Sequence, residues 1–274
     1  MKSSENRMSW EDAVKWMKSQ PDQTEVARDC FFDDPLSEAA NRYYLSSEWS
    51  AVRELIGTQG GRALDIGSGR GISAYALAMD GWQVTALEPD PSLLVGAGAI
   101  RQLARDTKLE IDVVVEWGEQ LPFESNSFDL VFCRQVLHHA RDLKDLCREA
   151  GRVLKPNGLF IAIRDHVVSR HEDLPAFLGE HSLHRLYGGE HAFTLKEYKS
   201  AIIAAGIDLK QVLNPMESEI NMYPRSKQTL KDNMASKLHL PSSALIPDWL
   251  LSWRGRTSNA PGRLYSFVGR KPGQ

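Results

Sequence analysis

The sequence predicts a doubly wound α/β domain, a parallel sheet with helices on both faces. Between residues 62 and 164, short apolar runs alternate with longer amphipathic segments. Two of these runs, 130–133 (LVFC) and 159–163 (LFIAI), are apolar at nearly every position. Strands of a parallel sheet have this composition because helices bury both of their faces. A glycine-rich turn at 67–71 follows the first run.

The same alternation assigns the elements in order. We predict strands at about 62–66, 83–88, 111–115, 128–133, 158–164 and 207–213, and a last strand at Arg263–Arg270. The predicted helices lie near 70–80, 91–105, 141–154 and 194–205. Thr194 followed by Glu197 is a capping box, which marks the start of the last of these helices.

Segments outside the alternation suggest additions to a core at 57–166, 194–213 and 263–274. Residues 1–56 are predicted to form a helical N-terminal cap, since apolar residues recur there at helical spacing and 43–56 is one amphipathic run. The insertion 167–193 is predicted to be a polar loop over the substrate. The insertion 214–262 is predicted to be a helical lid that closes an aromatic wall over the pocket with these residues: Met222, Tyr223, Trp249 and Trp253.

Composition excludes several classes of protein. The 274 residues carry a formal net charge of −3, which gives no electrostatic reason to expect nucleic acid as the partner. No stretch is apolar enough to span a bilayer, and no secretory signal opens the sequence. Three cysteines without C-x-x-C spacing fit reduced thiols. We therefore expect a cytoplasmic monomer or homodimer that acts on a small molecule.

The glycine-rich turn carries the first functional signal. Gly67, Gly69 and Gly71 allow a tight turn between a strand and a helix, where a ligand can lie against bare backbone. The third glycine comes one residue too early for the dinucleotide-binding fingerprint. Asp65 precedes the turn, and its carboxylate would repel a pyrophosphate but attract an ammonium group. The turn therefore favours a cationic ligand over NAD.

Glu88 carries the second signal. It ends the next predicted strand, 23 positions after Asp65. A carboxylate held at a strand end can accept hydrogen bonds from both vicinal hydroxyls of a ribose. The alternative is that Glu88 only caps the helix that begins after Pro91; its coincidence with the glycine turn favours the ribose role.

Further strings occur in order at 84–90 (VTALEPD), 117–132 (WGEQLPFESNSFDLVF), 134–139 (RQVLHH) and 152–160 (RVLKPNGLF). With the glycine turn, they resemble the class I S-adenosylmethionine-dependent methyltransferase superfamily, in particular its small-molecule branch of the quinone-biosynthesis type. The resemblance implies a Rossmann-like, seven-stranded sheet whose last strand inserts antiparallel. It also implies that adenosylmethionine lies across the carboxyl ends of the strands, with adenosylhomocysteine as the product.

The resemblance also implies which residues contact the cofactor. They are Asp65, Gly67, Ser68, Gly69, Gly71, Glu88, Pro89, Trp117, Gly118, Glu119 and Arg134. One position departs from the family, because Trp117 stands where an Asp usually accepts a hydrogen bond from the adenine amine. Either Glu116 or Glu119 supplies that acceptor, or Gly118 offers backbone hydrogen bonds while Trp117 packs on the ring.

Candidate catalytic residues follow the fourth and fifth strands: His138, Arg164 and His166. Methyl transfer needs a positioned nucleophile, and it needs a base only where the acceptor's proton has a high pKa. His166 is the favoured base, because it should face the crevice and histidine titrates near neutral pH. Its alternative role is a hydrogen bond to the loop, whereas His138 and His139 more often pack and cap a helix.

The insertion 167–193 supplies the candidate substrate-binding residues, namely Arg185, Tyr187 and His191. Its H-x-x-H spacing could ligate a metal, but a polar loop over the substrate is favoured and no metal is expected. The function predicted is methyl transfer to a small molecule, on oxygen of a sugar, glycan precursor or other metabolite. The alternatives are a non-catalytic adenosylmethionine-binding module and, less favoured, an NAD(P)-dependent oxidoreductase.

Overall fold

The chain is organised around one mixed β-sheet in the computed structural model, which describes residues 8–58 and 60–273. Its strands are β1 (Arg62–Ile66), β2 (Gln83–Leu87), β3 (Ile111–Val114), β4 (Phe128–Arg134), β5 (Leu154–Val168), β6 (Phe193–Thr194), β7 (Asp208–Leu213) and β8 (Arg263–Arg270). They follow the spatial order β3-β2-β1-β4-β5-β8-β7, and the two-residue β6 pairs with the end of β5.

Helices cover both faces and one edge of this sheet. They are α1 (Trp10–Ser19), α2 (Thr24–Asp29), α3 (Leu36–Tyr44), α4 (Ser47–Ile56), α5 (Ile72–Met79), α6 (Ala97–Thr107), α7 (Leu143–Val153), α8 (Leu174–Glu180), α9 (Ser182–Tyr187), α10 (Leu195–Ala204), α11 (Glu219–Met222), α12 (Lys227–Lys237) and α13 (Asp248–Thr257). Short 3₁₀ turns lie at Pro21–Gln23, Leu137–His139, His171–Asp173 and Ser243–Leu245. Among the described residues, no helix is long and apolar enough to cross a membrane.

The topology confirms the predicted doubly wound fold. Strands β1 to β5 pair in parallel, and β8 lies antiparallel between β5 and β7, with Ile161 opposite Val268 and Val212 opposite Phe267. Strand order reverses at β1, whose neighbours are β2 on one side and β4 on the other. The crevice at the carboxyl ends of β1 and β4 is therefore where an α/β sheet of this kind binds its ligand.

Alternation along β4 shows how the sheet divides the core. Leu130 and Phe132 pack into the cluster that includes Trp49 and residues of α5, while Val131 and Cys133 pack into the cluster beneath α7 and α10. All four β4 side chains are fully buried. The apolar composition that predicted a two-faced strand is thus explained by helices on both sides.

Three segments differ from the prediction. The run 43–56 is two helices, because the Ser46 side chain accepts from the N–H of Trp49 and starts a new helix there. Helix α6 begins at Ala97 rather than near 91, because the Ser92 hydroxyl binds the N–H groups of Leu94 and Val95 in a turn. The insertion 167–193, predicted to be a loop, contains helices α8 and α9.

Strand β5 is longer than predicted and carries an irregularity that matters for the site. Its pairing with β8 shifts register between Ala162 and Asp165, and Arg164 takes a left-handed φ of 63°. Such a conformation is uncommon for a residue other than glycine and often occurs at functional positions. The bulge re-aims the side chains at the carboxyl end of β5.

A test of this packing is the contact between α7 and the end of α10. A Cβ atom at Gly151 would lie 2.3 Å from the carbonyl oxygen of Ala205, a backbone atom that cannot move freely. We predict that Gly151→Ala lowers the free energy of unfolding by about 1–3 kcal/mol, measured by urea denaturation. Gly179→Ala in α8 is the matched control, since nothing lies within 4 Å of its added Cβ; equal effects of the two substitutions would contradict the predicted contact.

Candidate active site

A cavity of about 520 Å³ opens at the carboxyl ends of β1, β2, β4 and β5. Its size is that of a site for a cofactor and a small molecule. The predicted site residues that line it are Gly67, Ser68, Gly69, Glu88, Pro89, Trp117, Gly118, Glu119, Arg134, His138, Arg164, His166 and Tyr187. The strands, the N-terminal helices and the insertion 167–193 therefore contribute to one site.

The glycine turn forms the floor of the cavity beside β1. Gly67, Gly69 and Gly71 have φ values of 64°, 53° and 86°, in the left-handed region that favours glycine. A Cβ at Gly67 would also lie 2.6 Å from a methyl group of Val136. Gly71 does not line the cavity: it caps α5 and packs on Ile100. Of these three glycines, Gly67 and Gly69 line the cavity with their backbone.

Glu88 is held rigidly next to this turn. One carboxylate oxygen accepts from the N–H of Gly69 at 2.8 Å and the other from the N–H of Asp90 at 2.9 Å. Each oxygen can accept a second hydrogen bond from a ligand. Burial raises the pKa of Glu88 to about 7, helped by the charges of Asp90 and Asp65 and opposed by the two backbone hydrogen bonds. The predicted ribose acceptor is thus a fixed carboxylate on the cavity wall.

Asp65 is predicted to contact the cofactor, but its side chain does not line the cavity and lies behind the wall. This prediction is therefore corrected. One oxygen accepts from the hydroxyl of Ser73 at 2.7 Å, in the first turn of α5. The other oxygen is buried and has no hydrogen-bond partner among the described residues. Burial raises the pKa of Asp65 to about 6. Its role here is to support the glycine turn from below, with one acceptor unsatisfied.

The predicted adenine side of the cavity contains Trp117, Gly118 and Glu119. The Trp117 ring is half-exposed, and the guanidinium of Arg141 lies 3.6 Å from its centre. Glu119 accepts from the N–H of Arg141 at 2.8 Å. Glu116 does not line the cavity, and it accepts from the N–H of Trp117 instead. Two alternatives for the adenine contact therefore stay open. Either Glu119 accepts a hydrogen bond from the adenine amine, or Gly118 offers backbone hydrogen bonds while Trp117 packs on the ring.

A buried ionic cluster joins the ends of β4 and β5 to α4. The carboxylate of Glu48 is 2.6 Å and 3.1 Å from two nitrogens of Arg134, and 3.5 Å from a nitrogen of Arg164. The Arg164 guanidinium also donates to the carbonyl oxygens of Ile220 and Tyr223. Two cations and one anion leave this wall of the cavity positively charged.

A second cluster surrounds His138. Its ring lies 2.9 Å from Asp165 on one side and 3.5 Å from Glu190 on the other. Desolvation lowers the pKa of His138, but the hydrogen bond to Asp165 and the negative charges of Asp165 and Glu190 outweigh it and raise the pKa to about 9. His138 is therefore a buried cation at neutral pH and is not available there as a base.

His166 faces the cavity beside this cation. Its Nδ1 lies 2.7 Å from the carbonyl oxygen of Gly262, and its ring centre lies 4.8 Å from that of His138. Burial and the His138 charge lower the pKa of His166 to about 3. The expectation that His166 titrates near neutral pH is therefore wrong. It is a neutral imidazole across the physiological range.

Helix α9 explains why only one of three predicted substrate residues reaches the cavity. Leu183 and Tyr187 are four positions apart and share the face that lines it, whereas Arg185 points to solvent. The Tyr187 hydroxyl donates to Glu190 at 2.6 Å, and its ring packs on Trp10 of α1. His191 lies behind the wall, with its ring against Phe193. The prediction that Arg185 and His191 bind the substrate is therefore corrected, because neither side chain lines the cavity.

The predicted aromatic wall from 214–262 is also corrected. Trp249 and Trp253 are 67% and 58% exposed, and no residue of this segment lines the cavity. Tyr223 stacks on Phe31 and holds Arg164 from behind. The apolar wall comes instead from the N-terminal segment and α9, through these residues: Trp10, Phe31, Phe32 and Leu183.

Sequence reasoning missed two polar residues of the site. Glu48 has a signal in the sequence, because it lies on the apolar stripe of α4 with Val52 and Ile56 at helical spacing. Arg70 lies within the glycine turn itself and donates to the carbonyl oxygen of Phe31. Glu190 belongs to the polar insertion, but its contacts with His138 and Tyr187 form only through the fold.

Comparisons with known proteins agree with this geometry. Residues 64–162 match the protein family described as "Methyltransferase domain". A ubiquinone biosynthesis O-methyltransferase from Xanthomonas oryzae is 36% identical over 105 residues, which are 38% of this chain and 43% of that protein. The central segment of this chain is therefore similar to a methyltransferase domain. The chain spans less than half the length of the relative that it matches.

Solved structures are similar in fold to nearly the whole of this chain. A geranyl diphosphate methyltransferase in complex with GPP and sinefungin superposes with a TM-score of 0.62 at 13% identity, covering 96% of this chain and 99% of that one. The [4+2]-cyclase SpnF gives a TM-score of 0.57 at 21% identity, covering 86% and 82%. At these identities the likeness shows the fold alone.

The ionic cluster at the wall of the cavity can be tested by charge removal. Glu48→Gln leaves two buried guanidinium groups without their anion, so we expect the free energy of unfolding to fall by about 3 kcal/mol, measured by urea denaturation. Glu54→Gln, on the exposed side of the same helix, should change it by less than about 0.5 kcal/mol. A Glu48→Gln protein as stable as the Glu54→Gln control would show that the pair does not hold α4 to the sheet.

Proposed function

We propose that the chain is an S-adenosylmethionine-dependent methyltransferase that acts on an oxygen nucleophile of a small molecule. The observation that carries the proposal is the Glu88 carboxylate, fixed by two backbone N–H groups beside the bare backbone of Gly67 and Gly69. It lies at the switch point between β2, β1 and β4, where this fold binds nucleotide-like ligands. The match of residues 64–162 to the methyltransferase domain supports it.

The residues present fit adenosylmethionine. Glu88 offers acceptors to the ribose hydroxyls, and Trp117 with Gly118 offers a flat apolar surface and backbone groups to adenine. The methionine end would lie along Gly67 and Gly69, on the opposite side of the glycine turn from the buried carboxylate of Asp65. Arg134 is already bound by Glu48 and Gln135, so its contribution is a fixed positive charge on the wall rather than a free guanidinium.

When bound, adenosylmethionine supplies a methyl group on a sulfonium that is a good leaving group. The protein therefore has to hold the acceptor in line with that group and exclude water. The half of the cavity formed by α1, α9 and the end of β5 is suited to this, because the aromatic rings of Trp10 and Phe31 enclose it. Cofactor and acceptor would occupy the two halves of one cavity.

Oxygen is the favoured acceptor atom because the inner wall of the cavity offers hydrogen-bond acceptors. Glu190 is held ionised by its neighbouring histidines, which lower its pKa despite burial. His166 donates from Nδ1 to Gly262, which leaves Nε2 as an acceptor toward the cavity. A hydroxyl group, which must donate a hydrogen bond, is matched to such a wall. A metabolite such as a sugar or a glycan precursor has this chemistry and fits the enclosed space.

A second candidate is an adenosylmethionine-binding protein without methyl transfer. Two observations favour it: Trp117 replaces the expected acid, and SpnF, whose fold is similar, is a [4+2]-cyclase. The two functions are separated by incubating the chain with methyl-labelled cofactor and metabolite extracts. Label transferred to a small molecule supports the methyltransferase, and tight binding without transfer across varied extracts supports the second candidate. Stabilisation by NADH and not by adenosylmethionine would overturn both.

The role of Glu88 gives a direct test of cofactor binding. Glu88→Gln keeps the shape but removes the charge that accepts from the ribose hydroxyls, so we expect adenosylhomocysteine to bind about tenfold or more weakly by isothermal titration calorimetry. Glu110→Gln, an exposed acid near the start of β3, is the matched control and should bind normally. Unchanged affinity in the folded Glu88→Gln protein would refute the ribose assignment.

The raised pKa of Glu88 predicts a pH dependence. Ribose hydroxyls donate to the ionised form, so affinity should be complete above the pKa of about 7 and lost as the pH falls through it. We expect the Kd for adenosylhomocysteine to rise about tenfold between pH 8 and pH 6. The Glu88→Gln protein has no such titration, so its Kd should change much less over the same range. Equal profiles in both proteins would assign the effect to another group.

A further inference from the structure

Four histidines and one carboxylate meet on the inner wall of the cavity. Ligand atoms of His138, His139 and Glu190 lie within 4.8 Å of one another, and so do ligand atoms of His166, His181 and Glu190. Glu190 is therefore common to two groups of potential metal ligands. These side chains come from the turn after β4, the end of β5 and the insertion that contains α8 and α9, so the fold and not the sequence spacing brings them together.

The hydrogen bonds of three of these rings fix which nitrogen is free. Nδ1 of His139 lies 3.1 Å from the carbonyl oxygen of Gly189, and Nδ1 of His166 lies 2.7 Å from that of Gly262. Carbonyl oxygens only accept, so both Nδ1 atoms carry the hydrogen and both Nε2 atoms keep a lone pair. His138 donates from Nδ1 to Asp165 at 2.9 Å. Metal-binding imidazoles are oriented by this kind of contact.

Distances around Glu190 also fit a shared ion. One of its oxygens lies 3.5 Å from Nε2 of His138 and 3.9 Å from Nε2 of His139. A charge-assisted hydrogen bond would be about 2.7–2.9 Å long. Two ligands of a tetrahedral ion with bonds of about 2.0–2.1 Å lie roughly 3.3–3.4 Å apart. The separations of 3.5 Å and 3.9 Å are closer to the spacing of two metal ligands than to the length of a hydrogen bond.

We propose that Glu190, His138 and His139 bind one divalent transition-metal ion, which leaves the fourth position of a tetrahedral ion open; His166 and His181 lie near Glu190 but are not among the ligands of the ion. The donors are imidazole nitrogens and a single carboxylate, which suit zinc, manganese, iron or cobalt rather than magnesium or calcium. Two carboxylates, Asp165 and Glu190, lie 2.9 Å and 3.5 Å from the His138 ring, and their negative charge favours a cation at this point.

This site would also give the cavity a Lewis acid. His138, His139, His166 and Glu190 all line the cavity, so an ion among them has a side open to ligands. A bound acceptor hydroxyl would be oriented there and would ionise more readily. That use rests on the proposed function, whereas metal binding itself does not.

Cobalt(II) is the probe, because its visible absorption reports the ligands and the geometry. The chain, without a histidine tag and dialysed against a chelator, is titrated with Co²⁺, and zinc is then added as a competitor. We expect one ion per chain, with the absorption typical of tetrahedral cobalt, displaced by zinc. Glu190→Gln should weaken binding more than about a hundredfold, and Asp165→Asn, which only orients His138, by roughly 10- to 100-fold.

Control variants keep the test falsifiable. His171→Ala removes an exposed histidine outside the cluster and should bind Co²⁺ normally. His139→Ala, at a half-exposed position, replaces Glu190→Gln if the latter does not fold, as judged by circular dichroism and melting temperature. No saturable Co²⁺ absorption in the wild-type chain, or unchanged affinity in a folded Glu190→Gln or His139→Ala protein, would overturn the site. Adenosylhomocysteine affinity, measured on the same samples, reports separately on the proposed function.

Discussion

A buried carboxylate in α4 fastens the N-terminal helices to the carboxyl edge of the sheet. Glu48 is inaccessible to solvent and binds Arg134 at the end of β4 and Arg164 at the bulge of β5. Burying a charge is costly unless it is paired and hydrogen-bonded, so the three groups are stable only together. Because α4 is held there, the segment before it is brought over the cavity, where Phe31 stacks on Tyr223 and contributes to the wall.

Charge is distributed unevenly around the cavity. The wall beside the glycine turn carries Glu88 and, behind it, Asp65, whereas the ends of β4 and β5 carry the two guanidinium groups. Beyond them lies the cluster of His138 and Glu190, in which each group shifts the pKa of the other to favour charge. This distribution of charge favours a sulfonium nucleoside near the acids. It favours a methyl acceptor with a hydroxyl group near the histidines.

The sequence was sufficient for the parts of the site that depend on local structure. The glycine turn and Glu88 follow directly from strand ends, and the parallel order of the strands brings strand ends to one edge. Glu48 lies 86 positions from Arg134, and nothing local predicts that pairing. The sequence does not show that Leu183 rather than Arg185 faces the cavity, because packing against α1 fixes the rotational setting of α9.

Burial explains why chemical expectations for individual residues also failed. Histidine titrates near neutral pH in water, but His166 lies beside a buried cation and is desolvated, which lowers its pKa to about 3. His138 is shifted in the opposite direction, to about 9, by carboxylates from β5 and the insertion. Both residues line the cavity, but the environment that sets their protonation depends on the fold.

The most direct test of this account is a crystal structure of the chain with adenosylhomocysteine. The account predicts that both ribose hydroxyls lie within hydrogen-bond distance of Glu88, that adenine contacts Trp117 or Gly118, and that the thioether sulfur faces the half of the cavity lined by His166 and Tyr187. A ligand bound elsewhere, or bound in the cavity without contact to Glu88, would contradict it.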